Sequence, residues 1–190
     1  ADADSLLPTI SSRCRTINLR PLDSVTIEQS LMAQWGVPPD EALLLANLAD
    51  GRPGWAVDAS EQEQLLQTRQ QNLNQLHEAL QGKRVRRFML ADKLSSKPEH
   101  LPALLRTWLS WWRDLALVTY GQGTINPSVP ITNIDQQRIL EELAVAWSNE
   151  TIVENLAATG RAIQYLAQNA NTKLVMENLL LGYPLPGDEA

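Results

Sequence analysis

Hydrophobic residues recur at three- and four-residue spacing along most of the chain, which is the period of an α-helix that buries one face. The segment from Asp23 to Gly36 begins with capping residues and ends in a glycine, so it predicts a first helix. A second helix is predicted from Pro38 to Gly51, with proline at its start and glycine after its end. A third is predicted from Pro53 to about Leu80. These segments predict a small three-helix bundle whose third helix extends beyond the other two.

The pattern changes after Gly82, where the predicted helices become longer and richer in tryptophan. A basic amphipathic helix is predicted from Lys83 to Leu94, and a strongly amphipathic one from Pro98 to Tyr120. Residues 121–133 carry two glycines, two prolines and two asparagines, so they predict a loop. The remaining predicted helices are Ile134 to Trp147, Asn149 to Gln168 and Asn171 to Leu181. Together these helices predict a second, larger bundle.

Strict alternation of polar and apolar residues, which is typical of a half-buried strand, is confined to the short segment from Arg15 to Leu19. The predicted fold class is therefore all-α. We predict a division into an N-terminal piece at residues 1–20, a three-helix bundle at 21–80 and a larger helical bundle at 81–190.

The composition is that of a protein with an ample core and an acidic surface. The 190 residues are 44% hydrophobic and carry a net charge of −6, which argues against a protein that coats nucleic acid with a basic surface. The single cysteine, Cys14, cannot form an internal disulfide, and we predict that it is buried. No apolar run long enough for a membrane span and no leader is evident, so we predict a cytoplasmic protein without a membrane partner.

Residues that carry chemistry are sparse. The two histidines, His77 and His100, have no cysteine or carboxylate at ligand spacing, so we predict no metal site and solvated side chains. The acidic pairs stand at helix starts or on polar faces, where the helix dipole and solubility explain them. The sequence GRPG at 51–54 lacks the lysine and hydroxyl residue of a phosphate-binding loop. We therefore expect no self-contained active site and no cofactor in this chain.

One concentrated basic cluster stands in the sequence KRVRRFML. Four cations occur within five residues: Lys83, Arg84, Arg86 and Arg87. Such a cluster can contact phosphates or an acidic partner, and it is also what the solvated face of an ordinary amphipathic helix shows. Both interpretations stay open at this point.

Three tryptophans on the helix from Pro98 to Tyr120 pose a similar choice, because aromatic residues are enriched in cores and in interfaces. Trp108 and Trp112 share the apolar face of the helix, which predicts core positions. Trp111 points away from this apolar face, so it is the better candidate for a contact with a partner.

The order of several short sequences resembles a known family. LLPTISSRCR at 6–15 is followed by an extended piece, by RPLD and by the turn LADGRPGWAV, as in the second half of bacterial clamp-loader subunits of the AAA+ class. The triplet Ser12-Arg13-Cys14 is similar to the motif that closes their nucleotide-binding domain. LSWWRDLALV and NANTKLVMENLLL resemble the helical collar of the delta prime branch. The resemblance implies the end of a nucleotide-binding domain at 1–20, a lid at 21–80 and a collar at 81–190.

The resemblance also implies a role for Arg13. In this family the arginine of the triplet is an arginine finger, which reaches ATP held by a neighbouring subunit; on spacing alone, Arg13 would be a solvated surface residue. A guanidinium suits the task because it stays charged and offers a planar set of donors to phosphate oxygens. The ATP and Mg²⁺ would be held by the neighbours. The family's sensor arginine falls at Gly54 and is therefore missing, although Arg52 could serve in a shifted register.

The implied function is that of a non-hydrolysing subunit in the clamp loader of DNA polymerase III. Its collar would pack against gamma or tau and delta subunits, and it would reach the sliding clamp and primer-template DNA only indirectly. One alternative is an ATP-hydrolysing loader subunit, which would need an arginine where Gly54 stands. The other is a helical nucleic-acid-binding module that works through Lys83 to Arg87.

Overall fold

The computed structural model describes Thr9, Arg13, Cys14 and residues 19–121 and 131–184. These residues form nine α-helices and two short 3-10 helices, and no β-strand occurs among them, which confirms the predicted all-α class. Residues 15–18 of the extended segment predicted from Arg15 to Leu19, and residues 122–130 of the predicted loop, lie outside the described residues. The helices are α1 (Ser24–Trp35), α2 (Pro39–Leu48), α3 (Pro53–Glu61), α4 (Glu63–Gln81), α5 (Arg84–Ser95), α6 (Leu101–Tyr120), α7 (Gln137–Ala146), α8 (Asn149–Ala167) and α9 (Thr172–Gly182), with 3-10 turns at Pro98–His100 and Ile134–Gln136.

Side-chain caps begin three of these helices. Asp23 accepts from the backbone N–H of Thr26 at 2.8 Å, and Asn171 accepts from that of Leu174 at 3.1 Å. Both caps match the predicted helix starts. At α8 the cap is Ser148, one residue before the predicted Asn149, because the Ser148 hydroxyl accepts from a backbone N–H in the first turn.

The first hydrophobic cluster lies between α1, α2 and α3, with Ile27, Leu31 and Leu45 at its centre. The turn after α2 fixes how these helices meet. Gly51 has φ 77°, and a Cβ built on it would lie 2.3 Å from the Cβ of Pro21. Its carbonyl accepts from the N–H of Leu22 at 3.0 Å. Only glycine satisfies both the backbone angle and the close approach.

The predicted third helix, Pro53 to about Leu80, is interrupted at Gln62, which has non-helical backbone angles of φ −123° and ψ 88°. No proline or glycine marks the break, so the sequence pattern does not reveal it. Leu65 and Leu66 of α4 pack against the first cluster, whereas Leu73 and Leu76 lie in the second. The two hydrophobic clusters therefore meet within α4.

The second cluster is larger and is centred on α6, which packs against α4, α7 and α8. Trp112 stacks on Trp147 at 5.8 Å between ring centroids and meets Trp111 edge-on at 5.3 Å. No helix in the described ranges has the length and apolar composition that crossing a membrane requires.

The structure corrects the surface position predicted for Trp111. Its side chain is fully buried, and its ring lies 6.0 Å from that of His77 on α4 in an edge-to-face arrangement. The reason is tertiary: neighbouring helices surround α6 on several sides, so a tryptophan that leaves the main apolar stripe still faces a helix rather than water.

Candidate functional site

The basic cluster on α5 divides into one buried residue and three exposed ones. Arg87 is only 1% exposed, and its guanidinium donates to four main-chain carbonyl oxygens. The Nε donates to Ala79 at 2.9 Å, and the terminal nitrogens donate to Leu180 at 3.1 Å and to the carbonyls of Tyr183 and Pro184. Arg87 therefore joins the C-terminal ends of α4 and α9 to α5.

This arrangement corrects the prediction that Arg87 contacts DNA or a partner protein. The carbonyl groups at the end of a helix have no partners within the helix and carry partial negative charge. Gly82 and Lys83 turn the chain tightly between α4 and α5, so the buried side of α5 meets these carbonyls. A buried guanidinium with five donors satisfies them, and it cannot at the same time reach a partner's surface.

The other three cations, Lys83, Arg84 and Arg86, are exposed. Within the described part of the chain, none of them forms an ion pair or a side-chain hydrogen bond. Between them stand exposed apolar side chains, since Val85 is 73% and Met89 is 68% exposed and Phe88 is partly so. We call Arg84, Val85, Arg86, Phe88 and Met89 the outer face of α5.

Arg13, the candidate arginine finger, is exposed. The residues on either side of the Arg13-Cys14 pair lie outside the described residues, so the local conformation of the triplet is not part of the structure. Cys14 is a free, exposed cysteine, and the prediction that it is buried is wrong.

Two positions bear on the sensor arginine that the resemblance implies: Arg52 in the turn between α2 and α3, and Gly54 in the first turn of α3. The Nε of Arg52 donates to the carbonyl of Ala49 at 3.0 Å, so this side chain caps the end of α2. A Cβ built on Gly54 would meet no atom within 4 Å. The space around Gly54 would therefore admit a larger side chain, and the absence of arginine there is not imposed by packing.

A polar network that no sequence pattern predicts joins the two hydrophobic clusters. The Oδ2 of Asp114 accepts from the backbone N–H of Asn133 at 2.6 Å and from its side-chain amide at 2.7 Å. Arg69 on α4 donates to both carboxylate oxygens of Asp135 at 2.8 Å and to the side-chain oxygen of Asn133 at 2.7 Å. Its members stand far apart in sequence, so no local motif signals them.

The same network reaches the first bundle through Arg113. One terminal nitrogen of Arg113 lies 3.2 Å from the carboxylate of Asp50, in the turn after α2, and the other donates to Thr132 at 3.0 Å. Asp50 itself has a positive φ of 48°. The turn that orders the first bundle is thus held against α6 by an ion pair.

Two carboxylates of the network, Asp114 and Asp135, have pKa values that are shifted in opposite directions. Burial raises the pKa of Asp114, although the hydrogen bonds from Asn133 oppose the shift. Burial also acts to raise the pKa of Asp135, but the hydrogen bonds and charge of Arg69 outweigh it and leave that pKa below its ordinary value. The fold therefore favours the ionised form of Asp135.

Replacing Asp135 by asparagine is expected to lower the free energy of unfolding by about 1 kcal/mol at neutral pH, because a partly buried charge-assisted pair with Arg69 is lost. The pKa of Asp135 is lowered by folding, so its contribution is complete above the ordinary value of 3.8 and disappears as the pH falls through the lowered value. Urea titrations of both proteins at pH 7 and pH 3 test this. A stability difference that stays constant between the two pH values would contradict it.

The histidines differ from one another. His77 is partly buried, and burial lowers its pKa, so its predicted solvated position is wrong. His100 is exposed, and its Nε2 lies 3.7 Å from the Oε1 of Glu99. Among the described residues, no three histidine, cysteine or acidic side chains stand close enough to hold a metal ion.

Comparison with curated proteins finds a related sequence. The chain is 27% identical over 180 residues to DNA polymerase III subunit delta' of Bacillus subtilis strain 168. The similar region covers 93% of this chain and 52% of the relative, so the chain spans about half of that protein's length. No family model matches the chain. The similarity confirms the resemblance to delta prime subunits that the short sequences indicated.

Proposed function

We propose that this chain is the lid and collar part of a delta prime subunit in a bacterial DNA polymerase III clamp loader. The observation that carries the proposal is the similarity to a delta' subunit along 93% of the chain. The division into a small and a larger helical cluster agrees with it. In this role the protein acts in the cytoplasm, on the sliding clamp and on primer-template DNA through its partner subunits.

The proposed subunit does not hydrolyse ATP itself. Gly54 stands where the resemblance places the sensor arginine, and Arg52 donates from its Nε to Ala49 within its own turn. ATP and Mg²⁺ are then held by neighbouring subunits. Arg13, which is exposed, contributes its guanidinium to the phosphates of that ATP across the subunit boundary.

The larger bundle, α4 to α9, supplies the scaffold that holds the loader together. Its core contains three fully buried tryptophans, which hold the helices of the proposed scaffold together. The proposed partners are gamma or tau and delta subunits, which would present collars of their own.

The two alternatives have less support. An ATP-hydrolysing loader subunit would need an arginine at position 54, where this chain has glycine despite room for a larger side chain. A nucleic-acid-binding module would use the four-cation cluster on α5, but Arg87 is buried and only three of the cations face outward. The loader subunit without hydrolytic activity remains the better proposal.

An association experiment tests the scaffold role. The chain is mixed with gamma- or tau-type and delta-type subunits of the same organism at micromolar concentration and analysed by size exclusion with light scattering. We expect co-elution in one complex, because the collar is present in this chain. An unrelated acidic helical protein of similar size serves as the control. Separate elution of all components would contradict the proposal.

A further inference from the structure

We propose that the outer face of α5 is a docking surface for an acidic, amphipathic helix of a neighbouring loader subunit. The inference rests on the proposed function and deepens it, because it assigns one face of the collar and the chemistry of its partner. Three observations carry it: exposed apolar side chains at the centre of the face, unpaired cations at its rim, and a buried arginine that holds the helix in place.

The apolar centre of the face is formed by Val85, Phe88 and Met89. At about 100° per residue these positions fall within an arc of roughly 100° on the helix. The opposite side of α5 is buried and includes Leu90 and Leu94. The three outer side chains therefore do not belong to the core of this chain. Adjacent exposed apolar groups with a polar rim are typical of interaction sites.

The charges around this centre are positive. Arg84 and Arg86 flank the apolar side chains and have no acidic partner among the described residues. The one acidic residue on the same side, Asp92, is already paired with Lys173 on α9 at 2.6 Å. In a chain whose net charge is −6, this face is therefore a local basic surface, and its complement is acidic.

The apolar side chains distinguish between the two classes of acidic partner. A nucleic acid would neutralise Arg84 and Arg86 through its phosphates, but it would leave Val85 and Met89 against a charged backbone. An amphipathic helix with acidic residues beside its apolar stripe satisfies both kinds of side chain at once. The composition of the face thus favours a protein helix.

The position of α5 is fixed by contacts on its buried side. The guanidinium of Arg87 donates to carbonyls at the ends of α4 and α9, and all of these contacts are buried. A surface that is already ordered loses little conformational entropy when a partner binds. The outer face is therefore presented in one orientation before association.

The test is a binding titration between the complete subunit and its gamma- or tau-type and delta-type neighbours. We expect the double variant Val85→Asp, Met89→Asp to bind at least about tenfold more weakly, because two acidic groups enter the apolar centre opposite an acidic partner. The matched control is Val145→Asp, Val153→Asp, which places the same charges at exposed valines on α7 and α8. Circular dichroism checks that both variants remain folded.

A second variant separates charge from apolar contact. Arg84→Glu, Arg86→Glu is expected to weaken binding to the neighbouring subunits at low salt by at least about tenfold, with a smaller loss at high salt. Loss of primer-template DNA binding, with subunit binding unchanged, would overturn the inference in favour of a nucleic-acid surface.

The outcomes distinguish this inference from the proposed function. Binding of wild type and the α5 variants with equal affinity overturns the docking surface and leaves the loader assignment standing. An equal loss in the α7 and α8 control also overturns it, because the effect would then not belong to α5. Failure of the wild type to bind either neighbour contradicts the proposed function, and the docking surface with it.

Discussion

Replacing Arg87 by methionine is expected to lower the free energy of unfolding by about 3 to 5 kcal/mol, a large effect for a single substitution. The aliphatic part of the side chain is retained, so the loss comes from the guanidinium. Four carbonyl oxygens at the ends of α4 and α9 lose their buried donor. A buried polar group without a partner costs about 1 to 3 kcal/mol.

Tryptophan fluorescence during urea unfolding measures this change, because Trp108 and Trp112 lie within 6.1 Å and 5.4 Å of the ring of Tyr183, next to the carbonyls that Arg87 binds. The matched control is Arg86→Met, the neighbouring arginine on the exposed side of α5. It is expected to change stability by less than about 0.5 kcal/mol. Equal effects of the two substitutions would show that the buried hydrogen bonds of Arg87 do not stabilise the fold.

Replacing Arg13 by alanine in the complete subunit is expected to leave the loader assembled and to lower ATP turnover by the neighbouring subunit at least about a hundredfold. The reason is that a guanidinium aimed at the transferring phosphate stabilises charge that develops in the transition state. The exposed position of Arg13 is consistent with contact to another subunit. Steady-state ATP hydrolysis by the reconstituted loader, in the presence of clamp and primed DNA, measures the effect.

Arg20→Ala is the control for charge alone, since Arg20 is also exposed and follows the triplet closely in sequence. It is expected to leave turnover unchanged. Size exclusion confirms that both variants assemble. Turnover by the Arg13 variant that equals that of wild type would exclude the arginine-finger role.

The helical periodicity was sufficient to predict the fold class and most helix positions. Apolar residues at helical spacing, together with caps such as Asp23 and Asn171, lie in the sequence itself and act over a few residues. The break at Gln62 was missed because no proline or glycine marks it. Apolar residues on both sides of the break, Ala59 of α3 and Leu65 of α4, contact the same first cluster, so the break lets two helices pack on one core, which is a tertiary requirement.

The candidate site was less predictable than the fold. Arg86 and Arg87 are adjacent and chemically identical, yet one is exposed and the other holds three helices together. Likewise, the contacts of Asp114 with Asn133 and of Arg69 with Asp135 join residues that are distant along the chain. No local pattern encodes such pairs, because they form only when the helices have packed.

By itself, the sequence determined that the chain is all-α, where most helices begin and end, and which family it resembles, because these follow from local periodicity, capping and short motifs. Only the tertiary structure decided that Arg87 and Trp111 are buried and that Val85 and Met89 remain outside. The physical reason is that burial depends on which helix faces meet. That choice is made by the whole set of packing contacts and carbonyl partners, and no single helix contains it.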